Sequence, residues 1–200
     1  MRHNEIRDII YKSARRGSLR PTLEKAGLLA EDGIFVNLRR PADVFVDQLH
    51  SARREQRNPG GMQRVALDIK VINALGPGHF DQTLQSSQGA LVSYRDQQMT
   101  HMNTFAQCAA RGIRYEPMVF SAQGGCESHA EGIIHQLAQA IADAEGIPKA
   151  TAKADILEEI AISLARSAAS AVLRRRLPKP DFPLAGIRRI VAGSGLALEP

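Results

Sequence analysis

Tryptophan is absent from this 200-residue chain, and three tyrosines and six phenylalanines supply all its aromatic rings. Its core must therefore be filled by aliphatic side chains. Cys108 and Cys126 are the only cysteines, and they belong to no Cys–x–x–Cys or Cys–His spacing. A disulfide scaffold and a zinc module are both excluded, and a reducing compartment is expected. No run approaches the roughly 20 apolar residues of a membrane span. The N-terminus, Met1-Arg2-His3-Asn4-Glu5, is too polar for a secretory signal. The expectation is a soluble, intracellular protein with no membrane partner.

What is present suits one domain of ordinary size: 44% hydrophobic and 24% charged residues, close to globular averages. The net charge of +5 is unevenly spread: residues 1–70 carry 14 basic and 9 acidic groups, whereas residues 71–200 carry 12 of each. A second basic cluster, Arg166, Arg174, Arg175, Arg176, Lys179, Arg188 and Arg189, has Asp181 as its one nearby carboxylate. Such patches suit a nucleic-acid partner, and a solvated surface gives the same count.

Periodicity predicts a helix over residues 3–16, with Ile6, Ile9, Ile10 and Ala14 on one face and Gly17 ending it. A strand over 20–29 is expected to pair with one over 34–38 across Glu31-Asp32-Gly33. Residues 42–46 form a third β-rich run. The segment 63–75 is the strongest strand signal and is apolar on both faces, as in a central strand. One long helix or two shorter ones are predicted over 81–111, then a buried strand over 113–121 and helices over 128–144 and 151–176. The fold class is thus α/β: a mixed sheet of about four strands in the order helix, three-stranded meander, helix, strand, flanked by helices and followed by extra C-terminal helices. Residues 1–176 make the domain, and 177–200, rich in Pro, Gly and Arg, a loosely packed basic tail.

Chemistry concentrates in two short runs, Arg40-Pro41-Ala42-Asp43 and Leu67-Asp68-Ile69-Lys70. Asp68 and Lys70 point to one face of an otherwise apolar strand, where a carboxylate is costly unless it is paired or holds a cation. One reading is a plain buried Asp–Lys ion pair. The other is a hard divalent cation on Asp43 and Asp68, beside an ammonium that handles water and phosphate charge.

These residues resemble the PD-(D/E)XK nuclease superfamily, whose pattern is a proline-associated Asp on one strand and Asp or Glu, any residue, and Lys on the next. Here one residue, Ala42, separates Pro41 from Asp43. More narrowly, the chain is similar to the restriction-like endonuclease domain of site-specific non-LTR retrotransposons, through Arg2-His3-Asn4, Leu23-Glu24-Lys25, the two runs above and Tyr115-Glu116-Pro117-Met118-Val119-Phe120. The resemblance spans roughly residues 2–140 and implies a restriction-endonuclease-like core. It also implies an Mg²⁺- or Mn²⁺-dependent DNA endonuclease, leaving 5′-phosphate and 3′-hydroxyl ends. Asp43, Asp68 and the Ile69 carbonyl would hold the metal, and Lys70 would position the attacking water. Glu5 would be the extra catalytic carboxylate, with Glu24 the competing candidate as a metal ligand. Arg2, His3, Arg53, Arg54, Arg57, Arg64 and Gln123 would contact nucleic acid. Partners would be DNA, with reverse transcriptase or other retroelement domains in the same system, and the location nuclear if the element is eukaryotic. A catalytically inactive binding or interaction module and a Holliday-junction or repair nuclease are the rival readings.

Overall fold

The computed structural model describes residues 2–29, 40–50 and 62–176. The expected strand over 34–38, the basic residues Arg53, Arg54 and Arg57, and the 177–200 tail lie outside the described residues. By backbone contacts the chain divides into two units, 1–168 and 169–200. Of the second, only the last turns of a helix, 169–176, are described.

In the first unit, helix α1 (Arg2–Arg16) leads into a meander of β1 (Pro21–Leu23), β2 (Val44–His50) and β3 (Met62–Ile72). Helices α2 (Phe80–Gln85), α3 (Gly89–Thr100) and α4 (Thr104–Ala110) then carry the chain to β4 (Ile113–Ser121), followed by α5 (Ser128–Glu145) and by α6 (Lys149–Arg176), which belongs to this unit as far as residue 168. The sheet order is β1-β2-β3-β4, antiparallel through the meander and parallel between β3 and β4. This is the α/β architecture with a four-stranded mixed sheet that the hydrophobic patterning predicts.

Period-two alternation sorts β3 onto two layers. Val65, Leu67 and Ile69 pack with Ile6, Ile10, Ile134, Leu137 and Ile156 from α1, α5 and α6. Ala66 packs on the other layer with Phe45, Cys108 and Tyr115, and Ile72 with Leu91 and Val119. Asp68 and Lys70 belong to this second layer by alternation. Arg16 joins the helices of the first layer, bonding Glu145 through two 2.9 Å hydrogen bonds and Asp155 at 3.3 Å.

Two expectations are corrected. The strand over 20–29 shrinks to three residues because Arg20 and Glu24 adopt left-handed backbone, φ 52° and 44°, which interrupts extended pairing on both sides of Pro21–Leu23. The helix over 81–111 is three helices. Ser86 is extended at φ −155°, and Met102 and Asn103 are left-handed at φ 51° and 57°. The first break depends on Gly89, where a Cβ would stand 2.2 Å from the Gln82 carbonyl oxygen.

Candidate active site

Two strands and one helix end converge on Asp43. Its backbone N–H donates to the Leu67 carbonyl at 2.9 Å, and its own carbonyl accepts from Glu24 at 2.9 Å, so it lies in the meander just ahead of β2. Its side chain extends the ladder by one step: Oδ2 accepts from the Ile69 amide at 2.7 Å. That bond brings the Asp43 carboxylate next to Asp68. Strand alternation puts the Ile69 carbonyl on the same edge of β3 as its N–H, the edge that faces Asp43. The first turn of α1 adds His3, with Nε2 2.9 Å from Asp43 Oδ2.

Asp68 is 9% exposed and both its oxygens are engaged. Lys70 Nζ lies 2.8 Å from Oδ1, and the Tyr115 hydroxyl donates to Oδ2 at 2.7 Å. Burial pushes the Asp68 carboxyl above its ordinary pKa, and the neighbouring Asp43 charge adds to this, although Lys70 and Tyr115 pull the other way. For Lys70, burial favours the neutral amine, but the Asp68 and Asp43 carboxylates outweigh it and the pKa rises. Burial, then the Asp68 charge, raises the Tyr115 phenol, so Tyr115 stays a proton donor. The set is two adjacent carboxylates, one fixed from each side, with an ammonium 30% exposed at the rim.

The other expected residues lie differently. Glu5 accepts from Ser163 Oγ at 2.7 Å and from Ser167 Oγ at 3.4 Å on α6. Two helical residues turn the side chain by roughly 200°, so with His3 on Asp43 the Glu5 carboxylate meets α6 instead. Glu24 is next to Asp43 through its backbone, but its carboxylate is held by Arg7 at 2.7 Å and Arg40 at 2.5 Å. Arg64 is exposed at the start of β3 and bonds the Arg111 carbonyl. Gln123 donates to Asn73 at 2.6 Å and accepts from Ser121 at 2.8 Å, in the turn after β4. Arg2 opens α1.

Tyr115 has no role in the sequence-based site. Its signal was a tyrosine inside the apolar run 113–121, since a buried phenol hydroxyl needs a partner. Which partner depends on the β3/β4 register.

The donor set matches a hard cation: carboxylate oxygens with a backbone carbonyl beside them. Among the described residues, no group of three or more His, Cys, Asp or Glu side chains could hold a metal. An all-protein cage of the calcium or zinc kind is therefore not built from them. One or two carboxylates completed by water and substrate oxygens is how Mg²⁺ is commonly held, and Asp43, Asp68 and the Ile69 carbonyl fit that mode. No described helix is long and apolar enough to cross a membrane. The chain matches no family model and no curated protein sequence.

Proposed function

We propose that the chain is a divalent-metal-dependent DNA endonuclease of the PD-(D/E)XK kind, with a restriction-endonuclease-like core, acting as a target-site-nicking domain of a retrotransposon. The observation that carries this reading is the Asp43 carboxylate bonded at 2.7 Å to the amide of Ile69, the residue between Asp68 and Lys70. The order helix, antiparallel meander, helices, parallel strand supports it, because that order brings the ends of β2 and β3 together.

Bound Mg²⁺ or Mn²⁺ would supply Lewis acidity to the phosphate and leaving-group oxygens. The rest of the chemistry falls to side chains. Asp43 and Asp68 present the anionic oxygens, and Tyr115 and the Ile69 amide fix their orientation. Lys70, charged and partly exposed, donates to a phosphate oxygen or holds the attacking water, and offsets charge that develops in the transition state. His3 restrains Asp43 from the helix side.

Nicking of supercoiled plasmid in Mg²⁺ tests the assignment. Wild type is expected to nick, and Asp68→Ala and Lys70→Ala to lose roughly 100-fold or more. Cleavage that survived both substitutions would sink the site. One observation favours a second reading, a nuclease-derived module that binds nucleic acid without turnover: both Asp68 oxygens already have protein partners. Retention of DNA by wild type with no cleavage would select it.

A further inference from the structure

β4 is the edge of the sheet opposite β1 and pairs with β3 alone. Its register on β3 runs without a shift, so the backbone groups of successive residues face alternately toward β3 and outward. Ala122, just past β4, donates to the Ile72 carbonyl on the β3 side at 2.8 Å, whereas Ser121 donates outward to Gly125 at 3.1 Å. The Val119 carbonyl accepts outward from Glu127 at 2.9 Å. By that alternation the N–H and C=O of Ile113 and Tyr115 and the C=O of Pro117 also face outward. Pro117 has no N–H to leave unpaired, which suits an edge position. The stretch 125–127 covers the far half of this edge in antiparallel pairing, with Phe120 opposite Cys126, and the chain then turns into α5 at Ser128. On the near half, none of the described residues hydrogen-bonds to the outward groups of Ile113, Tyr115 and Pro117.

That half opens onto a cavity of about 840 Å³. Residues 112–116 all line it, although successive side chains point to opposite faces, so the cavity runs along the edge of the sheet and not over one face. Its two walls differ. On the Tyr115 side stand Met99, Phe105 and Ala109 from α3 and α4, and on the Arg114 side Ser128, Gly132 and Gln136 from α5. Arg114 is itself paired with Glu116 at 2.7 Å. Gly132 lies inside α5, where a glycine weakens the helix relative to alanine, and a Cβ there would meet no atom within 4 Å. Helix stability favours a side chain at this position, yet the space beside the edge is left open.

We propose that the outer edge of β4 from Ile113 to Pro117 takes up an extended segment of a partner protein as an added antiparallel strand, in line with 125–127. Main-chain groups of the edge supply the bonds, and the walls choose the side chains. Guest residues opposite Ile113 and Tyr115 exchange both backbone bonds with them, face Met99 and Phe105, and are apolar. Those between face Gly132 and are small or polar. About five guest residues fit, since Ile113 to Pro117 spans roughly 14 Å at about 3.4 Å per residue. A second copy of the sheet does not fit, because Ile113 and Tyr115 are recessed, 4% and 3% exposed, and only a single strand can enter. The proposal does not rest on the nuclease reading, since no contact involves Asp43, Asp68 or a metal.

Acetylated, amidated heptapeptides that alternate valine, leucine or phenylalanine with serine test it on the full chain, by calorimetry and amide hydrogen exchange. Saturable binding is expected, with exchange at the Ile113 and Tyr115 amides slowed about tenfold or more. Methylating the backbone nitrogens of the apolar guest residues, which face β4, is expected to weaken binding about tenfold or more. Methylating those of the serines, which face away, should weaken it less. Gly132→Leu fills the groove and is expected to weaken binding about tenfold or more. It should unfold at the same urea concentration as wild type or higher, so its loss of binding is not a loss of fold. No saturation below about 1 mM, equal binding of the two methylated forms, or binding untouched by Gly132→Leu overturns the proposal. So does protection of the Ile113 and Tyr115 amides in the free monomer, which gives the edge to a segment of this chain. Protection that appears only as the protein self-associates gives it to a second copy and overturns the proposal equally.

Discussion

Lys70 and Tyr115 hold the two oxygens of one buried carboxylate, and they are unequal partners. The tyrosine contributes a neutral hydrogen bond, the lysine the counter-charge. Tyr115→Phe keeps the ring's packing and removes only the donor, so it is expected to cost about 1–2 kcal/mol of stability. Lys70→Met leaves Asp68 buried without its counter-ion. Breaking a fully buried pair costs about 3–5 kcal/mol, and solvent at the 30%-exposed lysine reduces this to about 1–3. Urea unfolding of both variants checks the order. The double variant Asp68→Asn/Lys70→Met should be more stable than Lys70→Met alone, because the uncompensated charge goes with it. Equal stabilities would mean that the carboxylate is solvated or neutral. Asp68 and Lys70 were legible in the sequence because two polar residues two apart stand out in an apolar run. Tyr115 was not assignable, because its hydroxyl meets Asp68 only through the parallel β3/β4 pairing, which local pattern does not encode.

Among the elements, α5 was predicted within a residue of its observed ends, whereas the segment before α3 was not. The difference lies in what ends each helix. Gly146 closes α5 in left-handed backbone at φ 69°, a signal visible as a glycine after an amphipathic run. The break at Ser86 is set by the tertiary approach of Gly89 to the Gln82 carbonyl, invisible to periodicity. The start of α5 carries a testable feature. Glu127, with a side chain 1% exposed, accepts from the His129 amide at 2.8 Å and from Ser128, and lies near His129 Nδ1 at 2.9 Å. Burial alone would raise its pKa, but these partners together bring it below the ordinary value. A depressed carboxyl gives stability that is fully present above its unfolded pKa, about 4.3, and is lost as pH falls through the folded value. Glu127→Gln is therefore expected to cost about 1 kcal/mol at pH 7. The gap to wild type should close as pH drops below about 4. Guanidinium titrations across that range read it, and a gap that held constant at low pH would count against an ionised cap.

At the scale of the whole sheet-and-helix unit, the site depends on where α1 lies against α5, since His3 at one end of α1 touches Asp43 while Gly17 follows its other end. Helix order and the mixed sheet followed from hydrophobic periodicity, but the spacing between helices is a matter of single atoms. A Cβ on Gly17 would come within 2.8 Å of the Ala140 Cβ and 3.2 Å of the Ala140 carbonyl carbon. Gly17→Ala must therefore push α1 and α5 apart where they cover the same layer. The expected cost is about 1–3 kcal/mol, larger than the roughly 0.4–1 kcal/mol that replacing a glycine restores through the unfolded chain. The midpoint of urea unfolding should fall at unchanged slope. Adding Ala140→Gly opens the same space from the other side. The double variant should then regain stability over Gly17→Ala even though a glycine inside a helix itself costs about 1 kcal/mol. A single variant as stable as wild type would show that the two helices are not held at this distance. In that case the contact between His3 and Asp43 would have to be fixed by the first turns of α1 alone.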